Sequence, residues 1–179
     1  MIITISGRAG SGKSTVSRLV AKKLGLSHFS SGDFMRQMAK EKKISLLELS
    51  KLAEKDKSID KELDERQIRL GKEEDNFVID GRLSAFFIPK ADFKIFLDAD
   101  KKTRAERILK DARAEEEGKS LKDIEKKIEE RERSEAKRYK EYYSYDCYDE
   151  SKYDFAIDTT NLGIGEVVNK VIDIVHTNQ

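Results

Sequence analysis

Little in this chain can cross-link it or stiffen it. Among 179 residues there is one cysteine, Cys147, and one proline, Pro89, and tryptophan is absent. A single thiol makes no internal disulfide and no thiolate metal site, which excludes a disulfide-stapled scaffold and a cysteine-built zinc fold. No run approaches the roughly 18 apolar residues that a membrane-spanning helix requires. The opening MIITIS shows no basic leader or cleavage pattern, so a soluble cytoplasmic protein with no membrane partner is expected. Net charge is missing too. Lys and Arg number 36 against 35 Asp and Glu, giving +1, which argues against a nucleic-acid-coating protein as strongly basic ones do not.

What is present is 37% hydrophobic and 40% charged residues, enough for one core and too little chain for two ordinary domains. Ile2 to Ser6 reads as a buried parallel strand running into Gly7. Val16, Leu19, Val20 and Leu24 follow at helical spacing and stop at Gly25, a natural left-handed cap. Ser27 to Ser30 is extended, and the small polar Ser31, Gly32 and Asp33 are placed to cap a helix through Phe34, Met35 and Met38. Lys40 to Lys72 is helical in composition. Asn76 to Asp80 and Phe93 to Asp98 are strands that each end in aspartate. Tyr153 to Asp158 is the last strand, before a helix with Ile164, Val167, Val168, Val171 and Val175 on one side. Strands alternating with helices predict a parallel sheet covered on both faces.

Between the first strand and first helix lies GRAGSGKST, from Gly7 to Thr15. Gly7, Gly10 and Gly12 free the backbone to curl its N–H groups inward beside a helix N-terminus, which favours anions. The pattern G-x-x-x-x-G-K-[ST] in that strand-loop-helix setting binds a nucleoside triphosphate, ATP with Mg2+. Gly7, Arg8, Ala9, Gly10, Ser11, Gly12, Lys13, Ser14 and Thr15 form its ATP-binding set. Lys13 reaches the β and γ phosphates, Ser14 ligates the metal, and Ser11 and Thr15 are secondary phosphate contacts. No guanine-reading Asn-Lys-x-Asp element accompanies the loop.

The loop holds a triphosphate without saying what becomes of it. Two further groups speak to that. With Ser120 as cap and Asp123 in capping-box position, Leu121, Ile124 and Ile128 mark a helix's inward face. By threes and fours that face continues to Arg131, Glu135, Arg138 and Tyr142, so the inward stripe turns cationic, as a phosphate site needs. The competing reading is a solvated helix with i, i+4 ion pairs such as Arg131 with Glu135. Asp80, at a strand's carboxyl end, is placed to hold Mg2+ through water. Asp98 is placed similarly but lacks the following glycine and arginine, and reads as structural.

GRAGSGKST, SSGDFMR, VIDGR, IFLDAD with TRAERI, and ERERSEAKR together resemble the nucleoside monophosphate kinases over nearly the whole chain. Asp80-Gly81 followed directly by Arg82 is similar to cytidylate kinases rather than adenylate kinases, as is the stretch Phe87 to Asp100. The resemblance implies a P-loop NTPase-type five-stranded parallel sheet sandwiched by helices, in a single kinase domain. Its core is 1–30, 73–110 and 150–179, with a monophosphate-binding insert at about 31–72 and a lid at about 111–149. It further implies that Ser31, Arg36, Arg82 and Glu135 bind the acceptor nucleotide, and that Lys13, Arg131 and Arg138 act on the phosphates. Leu83 departs from bacterial relatives, which commonly have an aspartate there. A cytosine pocket wants an acceptor beside a donor; the insert offers Asp60, Asp64, Arg66 and Arg69, of which Asp60 and Arg66 are the chosen pair. The expected activity is γ-phosphoryl transfer from ATP to CMP or dCMP by a monomer. An adenylate or broader UMP/CMP kinase is the nearest alternative, and a nucleotide-gated protein-interaction module the alternative of another class.

Overall fold

The computed structural model describes residues 1–110 and 120–178. Strands β1 (Ile2–Gly7), β2 (Ser27–Ser30), β3 (Phe77–Asp80), β4 (Phe93–Asp98) and β5 (Phe155–Asp158) form a five-stranded parallel sheet of order β2-β3-β1-β4-β5, with helices between them. The chain divides into two compact units, residues 1–6 with 17–94 and residues 7–16 with 95–179.

In the first unit, β3 lies between β1 and β2, with Ile5 and Ser30 both in register with Asp80. Every residue of β1 is buried, as a strand covered on both faces requires. Its helices are α1 (Lys13–Leu24, which enters it from Ser17), α2 (Ser31–Glu41), α3 (Leu46–Ala53), α4 (Lys57–Glu73) and the short α5 (Ser84–Phe87). Gly25, at φ +67°, stops α1, although Leu19 of the expected apolar stripe is exposed. The expected cap of α2 shifts by one residue. Ser30 occupies the N-cap without a side-chain bond to the helix, because its hydroxyl is turned to Asp80 at 3.1 Å. Ile2, Leu70, Phe77, Ile79 and Ile88 form one core. Met38, Ala39, Leu49, Ala53 and Ile59 form another that joins α2, α3 and α4.

The second unit contains β4 and β5, paired from Ile95 with Phe155 to Asp98 with Asp158, and helices α6 (Lys101–Lys110), α7 (Leu121–Tyr143) and α8 (Ile164–Thr177). The first part of the expected lid, 111–119, lies outside the described residues. Ser120 caps α7 as its sequence predicts, accepting from the Asp123 amide at 3.2 Å. Ile124 and Ile128 pack on Ala105. The last strand begins two residues later than expected. Glu150–Lys152 forms a 3-10 turn capped by Asp149, and the Tyr153 hydroxyl is tied to the Cys147 carbonyl at 2.7 Å. Val167, Val168, Val171 and Val175 are buried, whereas Ile164, in the first turn of α8, is exposed. No described helix is long and apolar enough to cross a membrane.

Candidate active site

The glycine loop belongs to the second unit. Gly7, Gly10 and Gly12 have φ of +152°, +78° and +89°, a region that side-chain-bearing residues rarely enter. Gly7 and Gly10 are required by space as well. A Cβ on Gly7 would collide with the Leu97 carbonyl, and one on Gly10 with the Arg104 carbonyl. Lys13 opens α1 and its Nζ donates to the Arg8 carbonyl at 3.3 Å. Ser14 is half-buried and Thr15 exposed. The Ser11 side chain is buried and lies against Gly7, and among the described residues its hydroxyl has no hydrogen-bond partner. Its carbonyl accepts from Thr159 Oγ1 at 3.3 Å, so Ser11 braces the loop from behind.

Two arginines hold that loop in place. Arg8 donates through Nε to Asp98 at 3.1 Å and through Nη1 to Glu132 at 3.0 Å, and its guanidinium lies 4.4 Å from the Tyr148 ring centroid. Burial works against the Arg8 charge, but Glu132 and Asp98 outweigh it and raise its pKa. The Arg8 side chain is therefore a tether of the loop. Arg104, which sequence reasoning passed over, is buried at 4% exposure. It donates to Glu132 at 2.6 Å, to the Ala9 carbonyl at 3.1 Å and to the Ala99 carbonyl at 2.9 Å. Its signal was present: Arg104 precedes Ala105 and lies four residues before Ile108, on the buried side of α6.

Along α7 the stripe does turn from apolar to charged, but the inward charge is carboxylate. Glu135 is 7% exposed at its side chain, whereas Arg131 is 52% exposed. Arg131 donates through Nε to Glu135 at 2.9 Å, the i, i+4 pair of the competing reading. Tyr148 donates to the other Glu135 oxygen at 2.6 Å. An inward Arg131 is thus corrected: Glu132 and Glu135 take the inner side because Arg8, Arg104 and Tyr148 meet them there. Arg138 is half-buried, its guanidinium 5.7 Å from the Tyr139 ring centroid.

The first unit gathers the other expected residues. Asp80 is buried, accepting from Ser30 Oγ at 3.1 Å and paired with His28 Nε2 at 2.9 Å. Gly81 follows, and a Cβ there would collide with the hydroxyls of Ser31 and Ser84. Arg82 is half-buried and Leu83 buried. Arg36, on α2, forks onto Asp33 and is exposed. Asp60 and Arg66 are not brought together. Six positions apart on α4 they face different sides, and Arg66 instead binds Glu41 at 2.6 Å and Glu62 at 3.0 Å. The hydrogen bond to Glu41 is the main cause of its raised pKa. Buried on α4 are Asp64 and Gln67, and Ser84 Oγ donates to Gln67 Oε1 at 3.0 Å.

The chain is similar to several known proteins. Cytidylate kinase of Natronomonas pharaonis is 43% identical over 177 residues, covering 97% of this chain and 90% of that one. The cytidylate kinase of Pyrococcus horikoshii is 44% identical over 176 residues, covering 97% and 88%. Among solved structures, an uncharacterized protein from Eubacterium ventriosum matches with TM-score 0.72 at 20% identity over 98% of both chains. Shikimate kinase of Aquifex aeolicus matches with TM-score 0.63 at 21% identity over 99% and 98%. These two likenesses concern the fold alone. Residues 2–161 match the model of the cytidylate kinase-like family, and at this identity and coverage the chain belongs to that family.

Proposed function

We propose that this protein transfers the γ-phosphoryl group of ATP to CMP or dCMP, giving ADP and the corresponding diphosphate. The observation that carries the reading is the strained glycine loop with Lys13 at its helix, in a chain whose relatives above are named cytidylate kinases. The acceptor phosphate is already a nucleophile, so the protein's work is alignment and charge neutralisation. Lys13 and the loop amides hold the triphosphate, and Arg36, Arg82 and Ser31 hold the acceptor. Keeping water from the phosphoryl group falls to the insert at about 31–72 and the lid region at about 111–149. Arg131, exposed on α7, is long enough to act on the phosphates, with Arg138 about two turns beyond it.

Magnesium suits the oxygen donors present. The Ser14 hydroxyl, and Asp80 through water, would hold it; among the described residues no cluster of three His, Cys, Asp or Glu is placed to cage a metal. An ion bound by few protein groups and the substrate phosphates is what Mg2+ prefers, and it would supply charge neutralisation on the transferring group. The protein is read as a cytoplasmic monomer with nucleotides as its partners.

A panel of CMP, dCMP, UMP and AMP with MgATP tests the activity. CMP-selective ADP formation is expected. AMP preference would make the protein an adenylate kinase, and no acceptor-dependent turnover would leave the interaction module. Arg131→Ala is expected to lower kcat about 100-fold with little change in ATP affinity. A loss confined to ATP affinity would contradict its place on the transferring phosphate.

A further inference from the structure

Gln67 is 2% exposed, yet only one end of its amide is used. Oε1 accepts from Ser84 Oγ at 3.0 Å, and among the described residues no acceptor meets Nε2. The Ser84 bond leaves the Nε2 donor available near the carboxyl end of β3, where open α/β sheets receive ligands. Ser84 Oγ and Ser31 Oγ both flank the Cα of Gly81 so closely that no side chain fits there. Gln67, Ser84, Gly81 and Ser31 therefore form one continuous polar group within the first unit. One turn before Gln67, on the same side of α4, stands the buried carboxylate Asp64.

Resting on the cytidylate kinase reading, we infer that Gln67, positioned by Ser84, reads the acceptor base: its Nε2 donates to N3 of cytosine while Asp64 accepts from the exocyclic amine. The two bases differ where these groups point. Cytosine offers a donor at N4 and a lone pair at N3; uracil offers an acceptor at O4 and a hydrogen at N3. With uracil, Nε2 meets N–H and the carboxylate meets a carbonyl oxygen, so both contacts turn repulsive. A site built from fixed polar groups discriminates by leaving them unpaired with the wrong partner. This assignment replaces the Asp60 and Arg66 pair, and it gives the pocket a donor and an acceptor where Leu83 supplies neither.

The test is kcat/KM for CMP and for UMP, with MgATP saturating, in the parent, Gln67→Leu and Ser84→Ala. Gln67→Leu keeps the bulk and removes the donor, and the CMP-to-UMP ratio is expected to fall about 10- to 100-fold with KM for ATP unchanged. Ser84→Ala removes the group that orients the amide and is expected to lower the same ratio by a smaller factor, while retaining the fold should Gln67→Leu lose it. An unchanged ratio in both variants, even with both substrates slowed equally, overturns the inference. A parent enzyme that phosphorylates neither CMP nor UMP defeats the cytidylate kinase reading instead, and the two failures are told apart by the parent alone.

Discussion

Lys13→Ala lowers kcat by about 10³-fold, the scale for removing one charged donor from a developing phosphoryl transition state. The expectation rests on what the loop does without that side chain. The curled backbone from Gly7 to Gly12 is set by positive φ angles and by close approach to the Leu97 and Arg104 carbonyls. To this the Lys13 ammonium adds a 3.3 Å bond to the Arg8 carbonyl, and without it the triphosphate still finds its ring of amides. The missing charge is the one that follows the β and γ oxygens as the bond between them breaks. An interaction that strengthens on the way to the transition state is lost from kcat more than from KM. Lys13 is half-buried at the first turn of α1, so the unfolding midpoint should stay within a degree or two of the parent. Steady-state kinetics with CMP and MgATP, beside a thermal melt, checks both halves. Turnover within tenfold of the parent removes Lys13 from the phosphates.

The loop was legible in the sequence because its causes are local. A β-branched run, three glycines and a lysine specify strand, curl and helix within a dozen residues, and φ angles alone demand the glycines. The Ser120 cap was legible for the same reason, since its partner Asp123 is three residues away. Long-range partnership was not. Charged residues abound on α6 and α7, and periodicity says which side faces in without saying whether arginine or glutamate takes the inner place. That choice is made by residues far along the chain: Arg8 reaches Glu132 and Tyr148, and Arg104 reaches Ala9. The pairing of Asp60 with Arg66 met the same limit. Glu41, on a different helix, claims Arg66, whereas Gln67, between Leu63 and Leu70 at helical spacing, shares their inward side.

Arg104→Ala is the substitution expected to cost most stability, about 3–5 kcal/mol. The guanidinium is almost wholly buried, and its removal leaves three groups short of a donor: Glu132 Oε1 and the carbonyls of Ala9 and Ala99. Deleting one member of a buried ion pair costs more than the pair is worth, because the surviving charge stays desolvated. Arg8 still holds the other Glu132 oxygen at 3.0 Å, which places the loss nearer the lower figure. Because Ala9 lies inside the glycine loop, the variant should also bind ATP more weakly even below its melting transition. Arg104→Lys keeps the charge but not the planar fork that serves a carboxylate and two carbonyls together, so it should recover only part of the loss. Adding Glu132→Ala to Arg104→Ala removes the stranded carboxylate and should return stability relative to the sum of the single changes. Urea melts of the parent, the three single variants and the double variant decide the matter. A loss below about 1 kcal/mol for Arg104→Ala, or strict additivity in the double variant, would mean that Arg104 merely fills space behind the loop.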